Sequence, residues 1–436
     1  MFKNIKIAGF CLAVLGAGTF HAQEVREMTL AEVTGLALQN HPKLAVSAKK
    51  IAVSRQNAEV SKLQQLPSIT ASTSQFYLGN SLLLDKDFSN SMSVQLPHYG
   101  STYAVQASQL IFKGGLVKKS IEIADLQTQL SELDLEKDQQ DVKFLVMSNY
   151  LDIYKIINQK QVYLNNKKLA EIRLDNVKKF YQQGMITRNE IIRGELSIMN
   201  LDQGILVLTN NRKILNYNLD NALGLQASTE ILPVENIEKT QALYDLNYYL
   251  DLAQGNNPQQ KYFQRTIEIA QKNIEIINTD KMPTIGGFGG YALNRPITSH
   301  TPVIDMYSGG FQVGVSLSYN IDNLYKTKEK LELGELQKEQ AEETYNLISQ
   351  NINMDVNAAF IKHQNALENL VILKEAQKLA NENYKITEAK YLNQLAVQAE
   401  ITDAQNQKIQ AELDYVNAEI DLLYQYYNLL KSTGTL

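Results

Sequence analysis

Cysteine occurs once in the 436 residues, at Cys11, and tryptophan not at all. Cys11 lies in an apolar N-terminal run. A chain that sheds this run has no thiol, no disulfide and no cysteine ligand for a metal. Histidine is scarce, five residues in all. Beyond the N-terminal run His41, His98, His300 and His363 stand far apart, without metal-ligand spacing. Lys113-Gly114-Gly115 lacks the G-x-x-x-x-G-K pattern of a phosphate loop. No catalytic, cofactor-binding or metal residues are expected, so an enzyme is not expected either. Past the N-terminus no run of ~20 apolar residues occurs, which excludes a bundle of transmembrane helices. A membrane β-barrel stays open, because its strands need ~9–11 residues with every second one apolar.

Lys3 and Lys6, the apolar run Ile7 to Phe20, and Ala22-Gln23 have the layout of a secretory leader over 1–22. A membrane anchor would need ~20 apolar residues. Losing Lys3 and Lys6 reduces 42 basic side chains to 40 against 47 acidic ones, a net charge of −7. A mildly acidic exported protein is a poor nucleic-acid binder.

What is present is helix on an unusual scale. Leu116 to Gln182 holds neither proline nor glycine. Leu126, Leu130 and Leu133, then Tyr150, Ile153, Ile157 and Leu164, recur there at three- and four-residue spacing. One amphipathic helix ~100 Å long follows. Thr327 to Tyr391 is a second such run, interrupted by Gly334 alone. The two belong to a duplication. Pro42 and Pro67 are matched by Pro258 and Pro283, and Ala37-Leu-Gln-Asn-His-Pro42 by Ala253-Gln-Gly-Asn-Asn-Pro258. Tyr181-Gln-Gln-Gly-Met-Ile is matched by Tyr391-Leu-Asn-Gln-Leu-Ala, and Leu223-Gly224 by Thr433-Gly434. So long a period makes two copies of a large unit, not a solenoid.

The first repeat is expected over 23–225. It holds a short helix from about His41 to Leu66, two strands within 68–112, a long helix 116–182 and a helix 188–222. Residues 226–245 read as a linker. The second repeat, 246–436, holds a short helix, two strands within 284–321, a long helix 325–392 and a helix 397–431. The segments Gly79–Gly100 and Asn294–Gly309 read as loops. The clearest strand alternates Phe311, Val313, Val315, Leu317, Tyr319 and Ile321 with Gln312, Gly314, Ser316, Ser318 and Asn320. One face suits lipid and the other water, although a soluble hairpin with one buried face alternates in the same way. Tyr103, Val105, Ala107 and Ile111 alternate more weakly.

Four strands are too few to close a barrel, and an open edge in lipid leaves backbone groups unsatisfied at several kcal/mol each. Three copies supply 12 strands, within the range of membrane barrels. The expected fold class is mainly α with a β-barrel part. Long antiparallel coiled-coil helices form a periplasmic α-barrel, and four strands per chain enter a 12-stranded trimeric transmembrane β-barrel.

Met28-Thr-Leu-Ala-Glu through Asn40-His-Pro42, Leu66-Pro67, Leu110-Ile-Phe-Lys-Gly-Gly115, Tyr181-Gln-Gln-Gly-Met-Ile-Thr and Leu223-Gly224 stand in order along the chain. With these it resembles the TolC family of outer-membrane efflux proteins over nearly its whole length. The resemblance implies a homotrimer in the outer membrane of a Gram-negative bacterium, extending into the periplasm. It implies an exit duct of a tripartite efflux or type I secretion system, working with a periplasmic adaptor protein and an inner-membrane pump. A periplasmic coiled-coil adaptor or a structural spacer without a channel is the alternative reading. An adaptor would carry one central hairpin flanked by β domains, and a spacer would need no strands.

Glu400 and Asp403 share a helix face at i, i+3 and match the positions of two acidic rings at the family's closed periplasmic entrance. Glu190 is the counterpart of Glu400 in the first repeat, with Arg188 and Arg193 beside it. Tyr391 and Glu190 match two members of the family's entrance latch, but Ala396 stands where its arginine is expected. The other reading of these residues is a set of exposed helix-end charges without a task. Gly184, Met185, Ile186, Gln394, Leu395 and Ala396, at the two helical turns, are the candidate adaptor-docking residues.

Overall fold

The computed structural model describes residues 25–226, 229–234, 244–300 and 302–436, so the expected leader lies outside it. The chain opens with β1 (Val25–Met28), α1 (Leu30–Asn40) and α2 (Pro42–Lys62). Thr29 caps α1 in a capping box with Glu32, satisfying two otherwise unpaired backbone donors. The short helix expected from about His41 to Leu66 is α2 with the 3₁₀ turn that follows it, and α1 is a further helix ahead of it. His41 is extended, as a residue before proline prefers, and Pro42 begins a new helix.

A 3₁₀ turn at Leu63–Gln65 leads to β2 (Ser68–Tyr77), β3 (Ser81–Leu83), β4 (Met92–Val94) and β5 (Tyr99–Phe112). The segment 79–100 thus holds a short antiparallel pair, β3 with β4, where a loop was expected. Next come α3 (Leu116–Gln182), α4 (Arg188–Leu223) and β6 (Glu230–Pro233). The segment read as a linker supplies β6, which pairs in parallel with β1. The order then recurs with α5 (Leu246–Asn256), α6 (Pro258–Asn278), β7 (Thr284–Arg295), β8 (Ser308–Ser318), α7 (Asn323–Leu392) and α8 (Gln398–Thr433). α3 runs 67 residues and α7 runs 70, ~100 Å each.

The chain forms two compact units, each drawing on both halves of the sequence. The first comprises the described residues of Met1–His41, Val142–Ala242 and Lys362–Tyr427. Its helices pack around Val177, Tyr384, Tyr391, Ile401 and Ala404, and around Leu151, Ile420 and Leu423. Leu174 and Tyr163 of α3 lie against Gly194 and Gly204 of α4, so close that a Cβ on Gly204 would meet the Tyr163 ring at 2.5 Å. The β1–β6 clip is held by two helices. Tyr150 donates to the Met28 carbonyl at 2.9 Å and accepts from Val234 N, and Asn216 accepts from Ile231 N at 2.7 Å.

The second unit comprises Pro42–Asp141, Leu243–Ile361 and Asn428–Leu436. Its helices bury Tyr249, Ala253, Ile352, Val356, Phe360 and Leu429. Its sheet is antiparallel in the order β2-β5-β7-β8, which leaves β2 and β8 as open edges. The register puts Tyr103, Val105, Ala107, Tyr291, Phe311, Val313, Val315 and Leu317 on one face. Ser72, Ser74, Gln106, Ser108, Gly290, Gln312, Gly314 and Ser316 lie on the other. Phe288 breaks the small, polar pattern of that second face by lying across Gly314, where a Cβ would meet its ring at 2.7 Å. Such aromatic cover of a cross-strand glycine pins register. β8 ends at Ser318, so Tyr319 and Ile321 lie past the strand. There Asn323 N and Leu324 N bond back to Asn320 and Ile321 and begin the turn into α7.

Candidate functional site

The two helical turns of the first unit have one geometry. Gly184 takes φ +74°, with Met185 N bonded to Phe180 O at 2.9 Å. Gln394 takes φ +60°, with Leu395 N bonded to Lys390 O at 2.8 Å. Only glycine adopts this left-handed conformation freely, so Gln394 is strained where Gly184 is not. Met185 and Leu395 project outward, 55% and 77% exposed, while Ile186 and Ala396 pack onto the core around Tyr391. The six turn residues thus divide into an exposed apolar tip and its inward support.

Glu400 stands in the first turn of α8 and accepts from Val397 N at 3.2 Å, capping its own helix. Asp403 is exposed and accepts from Gln407 at 2.7 Å. Arg193 and Asp403 line one groove of about 670 Å³ between α4 and α8, together with Tyr163, Asn200 and Asn406. No ion pair joins Arg188 or Arg193 to Glu400 or Asp403 among the described residues.

Tyr391 is buried, and its phenol is pushed up by burial and by the Glu190 carboxylate, with Arg173 opposing. Glu190 has a buried Oε2 without a partner among the described residues. Arg173 escaped the sequence reading. The residue is 7% exposed, its guanidinium donates to Gln405 Oε1, and its Nη1 is buried without a described partner. Burial pulls its pKa down, opposed by Tyr384, Glu388 and Tyr391.

Arg173 belongs to a polar seam. Gln159 donates to Asn417 at 2.6 Å, and Asn166 donates to Glu412 at 2.8 Å. Lys408 reaches Asn166 Oδ1 at 3.1 Å, and its ammonium lies 5.1 Å from the centre of the Tyr384 ring. The signal available in the sequence was the seven-residue spacing of Gln159, Asn166 and Arg173 within an otherwise apolar stripe of α3.

The histidines remain apart. His98 stacks on Tyr77, and His363 is buried near Tyr426. Among the described residues no group of three or more His, Cys, Asp or Glu could hold a metal ion. No helix among them is long and apolar enough to cross a membrane.

A chain with two such helical turns and a four-stranded sheet of one apolar face has the build of an outer-membrane channel protomer. The model of the outer membrane efflux protein family matches residues 33–225 and 249–435, and the chain belongs to that family. By sequence, no curated protein matches it. The solved outer-membrane channel OprN is similar at 14% identity and a TM-score of 0.76, over 93% of this chain and 90% of that one. The CmeC outer membrane channel of Campylobacter jejuni is similar at 13% identity and 0.74, over 100% and 94%. The outer membrane protein VceC of Vibrio cholerae is similar at 12% identity and 0.73, over 93% and 96%.

The fold class read from the sequence is the fold class of these channels. The protein serves efflux across the outer membrane of a Gram-negative cell as an exit duct, not as an enzyme, and the adaptor and spacer readings are set aside.

Proposed function

We propose that the protein works as a homotrimer whose three sheets close one 12-stranded barrel, fed from the periplasm by an inner-membrane pump through an adaptor protein. The observation that carries this reading is the sheet. β2 and β8 present open edges, and one face is apolar, with Phe311, Val313, Val315 and Leu317 between 70% and 83% exposed. Lipid satisfies that face, but it satisfies neither edge, whereas a second copy pairing β8 with β2 does.

In this reading the division into repeats 23–225 and 246–436 lets each repeat deliver one strand pair and one pair of long helices. Glu400 and Asp403, repeated three times, ring the periplasmic entrance. Tyr391, Glu190, Arg188 and Arg193 stand behind that ring. Met185 and Leu395 form the tip that meets the adaptor, with Gly184, Ile186, Gln394 and Ala396 shaping it. Detergent-extracted protein should sediment as three chains. A folded monomer in membranes would overturn the closed barrel.

A further inference from the structure

The seam between α3 and α8 in the first unit is polar at a fixed interval. Gln159, Asn166 and Arg173 recur every seven residues on α3, and each meets a polar partner on α8. The partners descend in number, Asn417, then Glu412 with Lys408, then Gln405, so the two helices run antiparallel with three rungs between them. Elsewhere α3 buries Ile153, Ile156, Ala170, Leu174 and Val177, the apolar residues a packed helix ordinarily uses.

A buried guanidinium held through one amide oxygen is a poor stabiliser. Its Nη1 lies inside this chain, where no second copy can reach it, and it has no described partner. Polar groups at one heptad position are better suited to fixing register than to adding stability.

We propose that these rungs set the register of α8 against α3, and with it the height at which Glu400 and Asp403 enter the first turns of α8. The alternatives one helical turn away are blocked. A slip in one sense sets Lys408 against Arg173, cation on cation, in a buried seam. A slip in the other sense sets Ile401, fully buried, against the guanidinium and leaves it without an acceptor. An apolar seam of the same shape would discriminate weakly between these positions, because leucine meets leucine in each.

The absence of any cysteine beyond Cys11 makes the test clean. The Val177→Cys/Ile401→Cys pair, placed within one buried cluster, is cross-linked by mild oxidation in the full-length protein in membranes. With the rungs intact, cross-linking should be near complete. The three rungs are then made apolar: Gln159→Leu, Asn166→Leu and Arg173→Met on α3, with Asn417→Leu, Glu412→Met, Lys408→Met and Gln405→Leu on α8. Cross-linking should fall below about half, and single-channel recordings should show several conductance levels where there was one, with the melting temperature held or raised.

Full cross-linking with a single level in that variant would overturn the proposal. If that variant does not assemble, Arg173→Met with Gln405→Leu alone carries the test, and full cross-linking there overturns it. The heights of Glu400 and Asp403 matter only through the channel reading, but the cross-link reports register whether or not the protein conducts. Failure of the one is therefore separable from failure of the other.

Discussion

The side-chain amide of Gln394 donates to the thioether of Met185 at 3.6 Å, tying the turn between α7 and α8 to the turn between α3 and α4. The two turns therefore present one exposed tip, with Met185, Leu395 and Val397 at its surface. Leu395→Glu should abolish export in whole cells while membrane insertion is unchanged. Its melting temperature should correspond to a stability change within about 0.5 kcal/mol, as for a surface substitution. Normal export by this variant would move the adaptor contact elsewhere.

The outward face of β8 gives a paired test. Val315→Lys, on the apolar face, should lower barrel stability by about 2–4 kcal/mol near mid-membrane. Ser316→Lys, on the face of Gly290 and Gln312, should be tolerated. Unfolding in lipid vesicles measures both. Equal losses at the two sites would show that the faces are assigned wrongly.

Asp220 makes the protein's stability depend on pH. It is fully buried in the last turn of α4. One of its oxygens accepts from Asn216 at 3.0 Å and the other has no described partner, and burial pushes its pKa up to about 6. A carboxyl raised in the folded state contributes its full stability below the unfolded pKa of about 4, and this is lost as pH rises through about 6. Asp220→Asn should therefore stabilise the fold by about 1–3 kcal/mol at pH 8 and by nearly nothing at pH 4. Thermal melts of the detergent-solubilised protein at both pH values decide this. A gain of equal size at both would remove the carboxyl's ionisation as the cause.

In the proposed trimer, three copies of Glu400 and Asp403 place six carboxylates around the axis of the entrance. Unit charges several ångströms apart interact by about 1–4 kcal/mol at dielectrics between water and protein surface. Such rings attract cations and repel anions. Glu400→Gln with Asp403→Asn should lower cation selectivity and weaken block by multivalent cations added on the periplasmic side, without closing the pore. Planar-bilayer recording checks it, and unchanged block would return both residues to the solvated surface.

The long helices were legible because proline and glycine are absent from Leu116 to Gln182, and backbone breakers are read directly from sequence. The strands were legible to within a few residues from alternation. The helix α1 ahead of the expected one was missed although both its ends were marked, by the Thr29–Glu32 capping box and by the extended residue before Pro42. β3 and β4 have three residues each, too few for any period to show. Arg173 and Lys408 were hidden for a different reason. On a long helix charged residues ordinarily face water, and their burial is decided by the helix opposite, which carries no mark in the local sequence. The turn glycine at 184 was read correctly as a turn, but its counterpart Gln394 shows that the backbone shape persists where the glycine does not.

The sheet face carrying Gly290, Gly314, Ser72, Ser74, Ser108 and Ser316 has a further consequence once closed threefold. Between Gln106, Gln312 and Phe288, which is 40% exposed, side chains this short intrude little into the proposed bore. In the proposed channel the sheet and the entrance act on crossing ions as resistors in series, and the wider one contributes little to the total. With the entrance proposed as the narrower of the two, electrical measurements on the intact protein should report on the turns around Gly184 and Gln394, and substitutions in the sheet should leave the conductance almost unmoved until they fill the bore.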